Sequence, residues 1–140
     1  MKLNPYLMFH GQCEAAFKFY EQCLGGKIVA RFTYGEMPDA AKHVPPGMNE
    51  RIMHICLHVG DAVLMGSDSQ SDSSEVPSGV NVSLHVDSPA EAERIFHALE
   101  EGAEVRMPIG ETFWSERFGM LTDRFGIPWM INCEGSGQPA

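Results

Sequence analysis

Basic residues are scarce in this chain. Ten Lys and Arg stand against nineteen Asp and Glu, a formal charge of −9 with pI near 5.0. A phosphate backbone needs clustered Lys and Arg, so nucleic acid is excluded as a partner. The same shortage argues against a hold on anionic lipid. No apolar run approaches the ~20 residues of a membrane span. The opening MKLNPYLMFHG lacks the apolar core of a signal peptide, which points to a cytoplasmic protein. The four cysteines form no CxxC and no zinc-finger spacing, so they are expected to be reduced, small core residues. No GxGxxG is present, which removes the usual phosphate-binding turn of nucleotide folds.

What is present fits one globular domain of 140 residues, 44% hydrophobic and 21% charged. Ser88-Pro89-Ala90-Glu91 reads as a helix start with a capping box. Ala92, Ile95, Phe96 and Leu99 follow at helical spacing, and Gly102 is a fitting stop. Val80–Val86 alternates strictly, as a strand with one apolar and one polar face does. Earlier, Tyr6–Phe9 reads as a strand and Gln12–Leu24 as a helix ended by Gly25-Gly26. A shift of 77 residues lays Glu14 on Glu91, Phe19 on Phe96 and Gly25 on Gly102.

Strand-like runs follow each helix: Lys27–Tyr34, Ile52–Val59 and Ala62–Gly66, then Glu104–Met107, Arg117–Thr122 and Pro128–Cys133. The chain is therefore predicted to be α+β, two βαβββ modules at about 1–68 and 79–134, with a flexible tail at 135–140. Each helix covers one face of its sheet, and the opposite faces are expected to form a shared cleft. The stretches Gly35–Glu50 and Ser67–Gly79 read as long loops, the first apolar enough to fold over a cleft.

These residues resemble a known family. Asn4-Pro5-Tyr6, Glu14-Ala15-Ala16-Phe17, Leu24-Gly25-Gly26, Gly35-Glu36-Met37-Pro38 and above all Glu111-Thr112-Phe113-Trp114, Phe118-Gly119, Thr122-Asp123, Phe125-Gly126 and Pro128–Asn132 are similar to PhnB-like proteins. These form a branch of the vicinal oxygen chelate superfamily of glyoxalase I, bleomycin-resistance proteins and extradiol dioxygenases. The resemblance implies a glyoxalase-like fold, a curved mixed sheet around a cleft, and commonly a homodimer. Whether modules pair within or between chains stays open. Such proteins often carry the label of a demethylubiquinone methyltransferase, which this sequence does not support.

The resemblance also implies a test for metal. Superfamily enzymes place His and Glu ligands on the first and last strand of each module. Here those positions fall at Asn4 or Pro5, Met65, Asn81 and Met130, so no glyoxalase-type metal and no cofactor is expected. Histidines nevertheless gather on one strand face. His54, Cys56 and His58 share the face opposite Met53, Ile55, Leu57 and Val59, and His85 lies on the polar face with Asn81 and Ser83. His58 and Glu111 are the candidate acid-base pair. His54, His85, Trp114, Met65 and Asn81 are candidate ligand contacts. Trp129 is expected in the core.

Two functions follow, and a third is disfavoured. One is a metal-independent protein that binds a small, partly apolar molecule. The other is an isomerase or lyase on a small oxygenated substrate, working by His/Glu acid-base chemistry. The acidity weighs against a nucleic-acid or protein adaptor.

Overall fold

A computed structural model describes residues 1–70 and 76–134. The expected tail at 135–140, and residues 71–75 of the second expected loop, lie outside them. The chain divides into two compact units, Met1–Glu75 and Val76–Ala140.

Unit one runs β1 (Tyr6–Phe9), α1 (Cys13–Leu24), β2 (Lys27–Thr33), α2 (Ala40–His43), β3 (Ile52–Val59) and β4 (Ala62–Asp68). Unit two runs β5 (Val82–Val86), α3 (Pro89–Leu99), β6 (Glu104–Gly110), β7 (Ser115–Thr122) and β8 (Pro128–Glu134). The sheets have the same order, β1-β4-β3-β2 and β5-β8-β7-β6. In each, the first strand lies parallel to the last, and the other pairs are antiparallel. The fold is thus α+β and glyoxalase-like, with two four-stranded mixed sheets.

The repeat is visible in backbone geometry. Gly25 and Gly102 both take φ 72°, the left-handed conformation that glycine tolerates best, but only Gly25 caps its helix. Helix α3 ends at Leu99 with Glu100 as its cap, and the expected stop Gly102 lies in the turn beyond. Tyr6 faces Met65 across β1 and β4, and Ser83 faces Met130 across β5 and β8. Tyr6 and Ser83 are again 77 positions apart.

Each helix buries an apolar stripe on one sheet face. In unit one, Ala16, Phe17 and Tyr20 of α1 are buried with Leu7, Ile55 and Leu57. In unit two, Ala92, Ile95, Phe96 and Leu99 of α3 are buried with Leu121, Trp129 and Ile131. Fully burying a side chain of this kind contributes about 1.5–3 kcal/mol. Trp129 is core, as expected. Its indole Nε1 donates to Asp123 Oδ2 at 2.8 Å, and Asp123 Oδ1 accepts from the backbone N–H of Phe125 and Ile127 at 2.8 and 3.0 Å. The Thr122-Asp123 and Phe125-Gly126 motif therefore braces a hairpin.

Strand ends shift from the expectation: β5 begins at Val82 and not Val80, β6 runs on to Gly110, β7 begins at Ser115 and β8 ends at Glu134. Three further details differ. β4 runs on through Ser67 and Asp68, both buried, because the Asp68 carboxylate has work there. Its Oδ1 accepts from the N–H of Gly11 at 2.7 Å and of Cys13 at 3.0 Å, and its Oδ2 from Ile52 N–H at 2.9 Å. It thereby caps α1, whose N-cap residue Gln12 makes no side-chain cap. Second, only half of the expected capping box forms in α3. Ser88 Oγ accepts from Glu91 N–H at 3.2 Å, while the Glu91 carboxylate turns to Arg94. Third, the Gly35–Glu50 loop holds a 3-10 turn over Tyr34–Glu36 and then α2. Tyr34 N–H donates to Arg51 O at 3.0 Å and Gly35 N–H to Asn49 O at 2.8 Å, which pins its two ends together.

Candidate functional site

Strand alternation decides which side chains are available for function. In unit one, the face turned from α1 presents Tyr6 and Met8 from β1, Met65 from β4, and His54, Cys56 and His58 from β3. Cross-strand pairing places Phe32 opposite His54, Ala30 opposite Cys56, and Cys56 opposite Met65. Tyr6, Met8 and Phe32 are about half exposed, at 44%, 51% and 48%. The face is apolar and aromatic, with a few hydrogen-bonding groups set among the rings. Tyr6 Oη lies 3.1 Å from His54 Nδ1, and the two rings are 5.8 Å apart. His58, at the far end of β3, is exposed and stands opposite Lys27 and Val63.

In unit two, the face turned from α3 presents Ser83 and His85 from β5, Met130 and Asn132 from β8, and Phe118 and Met120 from β7. Met120 lies opposite both Met130 and Met107. The aromatic rings of Phe113, Trp114 and Phe118 stack edge to face in succession, with centroids 4.7 and 5.5 Å apart. Trp114 remains 39% exposed and Phe113 93%. His85 is the most richly partnered histidine on either face. Its Nε2 lies 3.1 Å from Ser83 Oγ, and its Nδ1 lies 3.2 Å from Glu134 Oε1 and 3.3 Å from the Asn132 amide.

The structure thus puts His54, His58 and Met65 on one open face, and His85 on the other with Trp114 ringed against Phe118. Glu111 is exposed just after β6, and Asn81 stands just before β5. Arg106 Nη2 donates to Asn81 Oδ1 at 2.5 Å, so that amide is already engaged. Within unit one, Tyr6 joins His54, a partner that the alternation of β3 alone does not reveal. Within unit two, Glu134, Asn132 and Ser83 join His85. The Met130, Asn132, Glu134 period of β8 was the signal for two of them.

The register also tests the donor set a metal would need. The residues facing each other on first and last strands are Tyr6 with Met65 and Ser83 with Met130, one or two steps on from Asn4, Pro5 and Asn81. Neither the phenol and thioether of unit one nor the hydroxyl and thioether of unit two suit Zn, Ni or Fe. Among the described residues, no three His, Cys, Asp or Glu side chains come together as a metal site. The residues present do not fit the superfamily's metal.

Cysteine reactivity divides by burial. The Cys13 thiol is pushed far above its ordinary value, first by burial and then by the carboxylates of Asp68 and Glu14. Burial, then Glu116 and Asp87, pushes up Cys133 as well. Cys56, partly exposed on the open face of unit one, is the accessible thiol among the four. No helix among the described residues is long and apolar enough to cross a membrane.

Comparison with known proteins agrees with this architecture. The sequence pattern of the Glyoxalase/Bleomycin resistance protein/Dioxygenase superfamily matches residues 2–131. Protein YjdN of Escherichia coli K12 is 35% identical over 139 residues, covering 94% of this chain and 95% of that one. The structure of protein PA1353 from Pseudomonas aeruginosa superposes with a TM-score of 0.87 at 47% identity, covering 96% of this chain and 98% of that one. A PhnB protein from Bacillus cereus, named as a putative 3-demethylubiquinone-9 3-methyltransferase, has the same fold. It matches with a TM-score of 0.78 at 24% identity over 95% of this chain and 99% of that one.

Proposed function

The chain belongs to the Glyoxalase/Bleomycin resistance protein/Dioxygenase superfamily, and on that premise we propose that it binds a small, partly apolar molecule without a metal. We place this activity in the cytoplasm and in a homodimer. One observation carries the reading. The open sheet faces carry exposed aromatic and thioether side chains beside isolated hydrogen-bonding groups, where superfamily enzymes carry metal ligands. Pockets for small molecules share that composition: mostly apolar, with a few placed polar groups. Methionine adapts its shape to irregular ligands.

The Tyr6–His54 and His85–Asn132 pairs supply polarity, so a ligand with one or two oxygens on an apolar frame suits the faces best. The test is a thermal-shift screen of small oxygenated metabolites on chelator-treated protein. Stabilising hits that survive chelation support the reading. Hits that appear only after Zn, Ni or Fe is restored contradict it.

The second reading is an isomerase or lyase. His85, with Glu134 beside it, favours that chemistry more than His58 and Glu111 do, since His58 faces Lys27 and Val63 across the sheet. Each screening hit is therefore also assayed for turnover, with His85→Ala as the control. Product formation that persists in that variant contradicts this reading.

A further inference from the structure

One arrangement on the open face of unit two exceeds what ligand binding requires. Ser83 and His85 are two residues apart on β5, so their side chains leave the same face. Ser83 Oγ lies 3.1 Å from His85 Nε2, and Glu134 Oε1 lies 3.2 Å from His85 Nδ1. A hydroxyl, an imidazole and a carboxylate stand in series, one oxygen at each ring nitrogen.

A proton count fixes the direction of the series. The structure sets Asn132 Nδ2 3.3 Å from His85 Nδ1 and Asn132 Oδ1 against Ser115 Oγ. Ser115 has one hydroxyl proton, and the carbonyl oxygens of Arg117 and Cys133 each lie 2.7 Å from its Oγ. That proton is committed to a carbonyl, so the amide end that suits Ser115 is the NH2. The two ends of an amide have the same shape, and partners decide its orientation. Turned end for end, the amide puts its oxygen, in place of Nδ2, at His85 Nδ1. In that orientation Asn132 Oδ1 and Glu134 Oε1 both accept from a proton held on Nδ1. The Nε2 lone pair is left to the Ser83 hydroxyl.

We propose that Ser83, His85 and Glu134 form a nucleophile, base and positioning carboxylate that take an acyl group from a small activated ester. Ser83 Oγ bonds to the ester carbonyl carbon while its proton passes to His85 Nε2. The tetrahedral adduct collapses, the bond to the leaving oxygen breaks, and the departing alcohol takes the proton from Nε2. Water then attacks acyl-Ser83, gives one proton to Nε2, and releases the acid as that proton returns to Ser83 Oγ. The sum is ester plus water to acid plus alcohol, and no redox partner enters. Glu134 holds the ring and its tautomer, as the third member of such sets does.

Access is open, since Ser83 is exposed and the His85 side chain is 49% exposed. Met130, opposite Ser83, offers an apolar contact for a short acyl chain. β5 is an edge strand of its sheet. Backbone N–H groups on the unshared side of such a strand are donors of the kind a developing oxyanion uses. The inference stands apart from the ligand-binding reading, because it concerns one face and one covalent step.

The test treats the full chain with p-nitrophenyl acetate and follows nitrophenol release with peptide mass spectrometry. The expected result is a burst, with an acetyl group on the peptide at Ser83. Ser83→Ala loses the burst and the adduct, Ser83→Cys keeps an adduct at that position, and Glu134→Gln slows acylation about tenfold or more. Thermal melts confirm that each variant is folded. A structural role for Glu134 would leave the His85 tautomer unchanged. Long-range ¹⁵N spectra of the neutral ring should instead show Nδ1–H in the parent and a mixture in Glu134→Gln. Acetylation confined to surface lysines, or hydrolysis by Ser83→Ala at the parent rate, overturns the proposal.

Discussion

Gly66 lies beneath Phe17 so closely that a Cβ on the glycine would stand 2.6 Å from the ring's Cε1. The second unit has a comparable contact at non-equivalent positions, with a Cβ on Gly119 at 2.7 Å from Phe96 Cε2. Each helix therefore seats an aromatic ring on bare backbone in a central strand of its sheet. Gly66→Ala and Gly119→Ala should each destabilise by roughly 1–3 kcal/mol, the cost of overpacking a filled core. Denaturant melts check this. Phe17→Leu in the Gly66→Ala background should recover part of the loss, because the smaller side chain vacates the clash.

Asp68 joins three segments through one carboxylate, and its loss should be felt in all of them. Asp68→Ala leaves the N–H groups of Cys13 and Ile52 buried without their acceptor. The expected cost is about 2–4 kcal/mol, since each orphaned buried donor costs about 1–3 kcal/mol. Asp68→Asn keeps one acceptor oxygen and should lose less. Amide exchange of Gly11, Cys13 and Ile52 should accelerate first.

Much of this was legible in the sequence, for a physical reason. Period-2 alternation at Val80–Val86, of which Val82–Val86 forms β5, and on Ile52–Val59 the split between His54, Cys56, His58 and Ile55, Leu57, reports burial directly, so strands and faces could be read off. Ser88 capping α3 and Gly25 capping α1 are local effects and were readable too. Asp68 was not, because its partners Gly11, Cys13 and Ile52 are 16 to 57 positions away. A polar, acidic run then reads as loop although its first residues complete a strand. His85 and Glu134 are 49 positions apart, and only the parallel pairing of β5 with β8 brings them together.

Alkaline pH should destabilise the fold through Cys13. Burial raises its folded pKa above the unfolded thiol's, about 8.5. Below that value both states hold the proton and the stability is fully present. Above it the unfolded chain releases a proton that the folded chain keeps, so stability falls as pH rises, at most about 1.4 kcal/mol per pH unit for one proton. Tyr34, raised by burial and then by Asp68, adds the same sign at higher pH. Melts between pH 8 and 10.5 should show the decline, with a smaller slope in Cys13→Ala. A thiol reagent at neutral pH should modify Cys56 and spare Cys13, Cys23 and Cys133.

Tryptophan fluorescence separates the open face from the core. Trp129 is fully buried and hydrogen-bonded to Asp123, whereas Trp114 is partly exposed. A ligand on the open face of unit two should change Trp114 emission. Trp114→Phe should abolish that response while leaving the core signal in place.

Methionine methyl spectra of the chelator-treated protein, titrated with a screening hit, test the central claim most directly. Met8, Met65, Met107, Met120 and Met130 sit on the open faces by register, and Met1, Met37 and Met48 do not belong to any strand. The account predicts shifts in the first group, unchanged by further chelator. Shifts confined to the second group, or shifts that require added Zn, Ni or Fe, would contradict it.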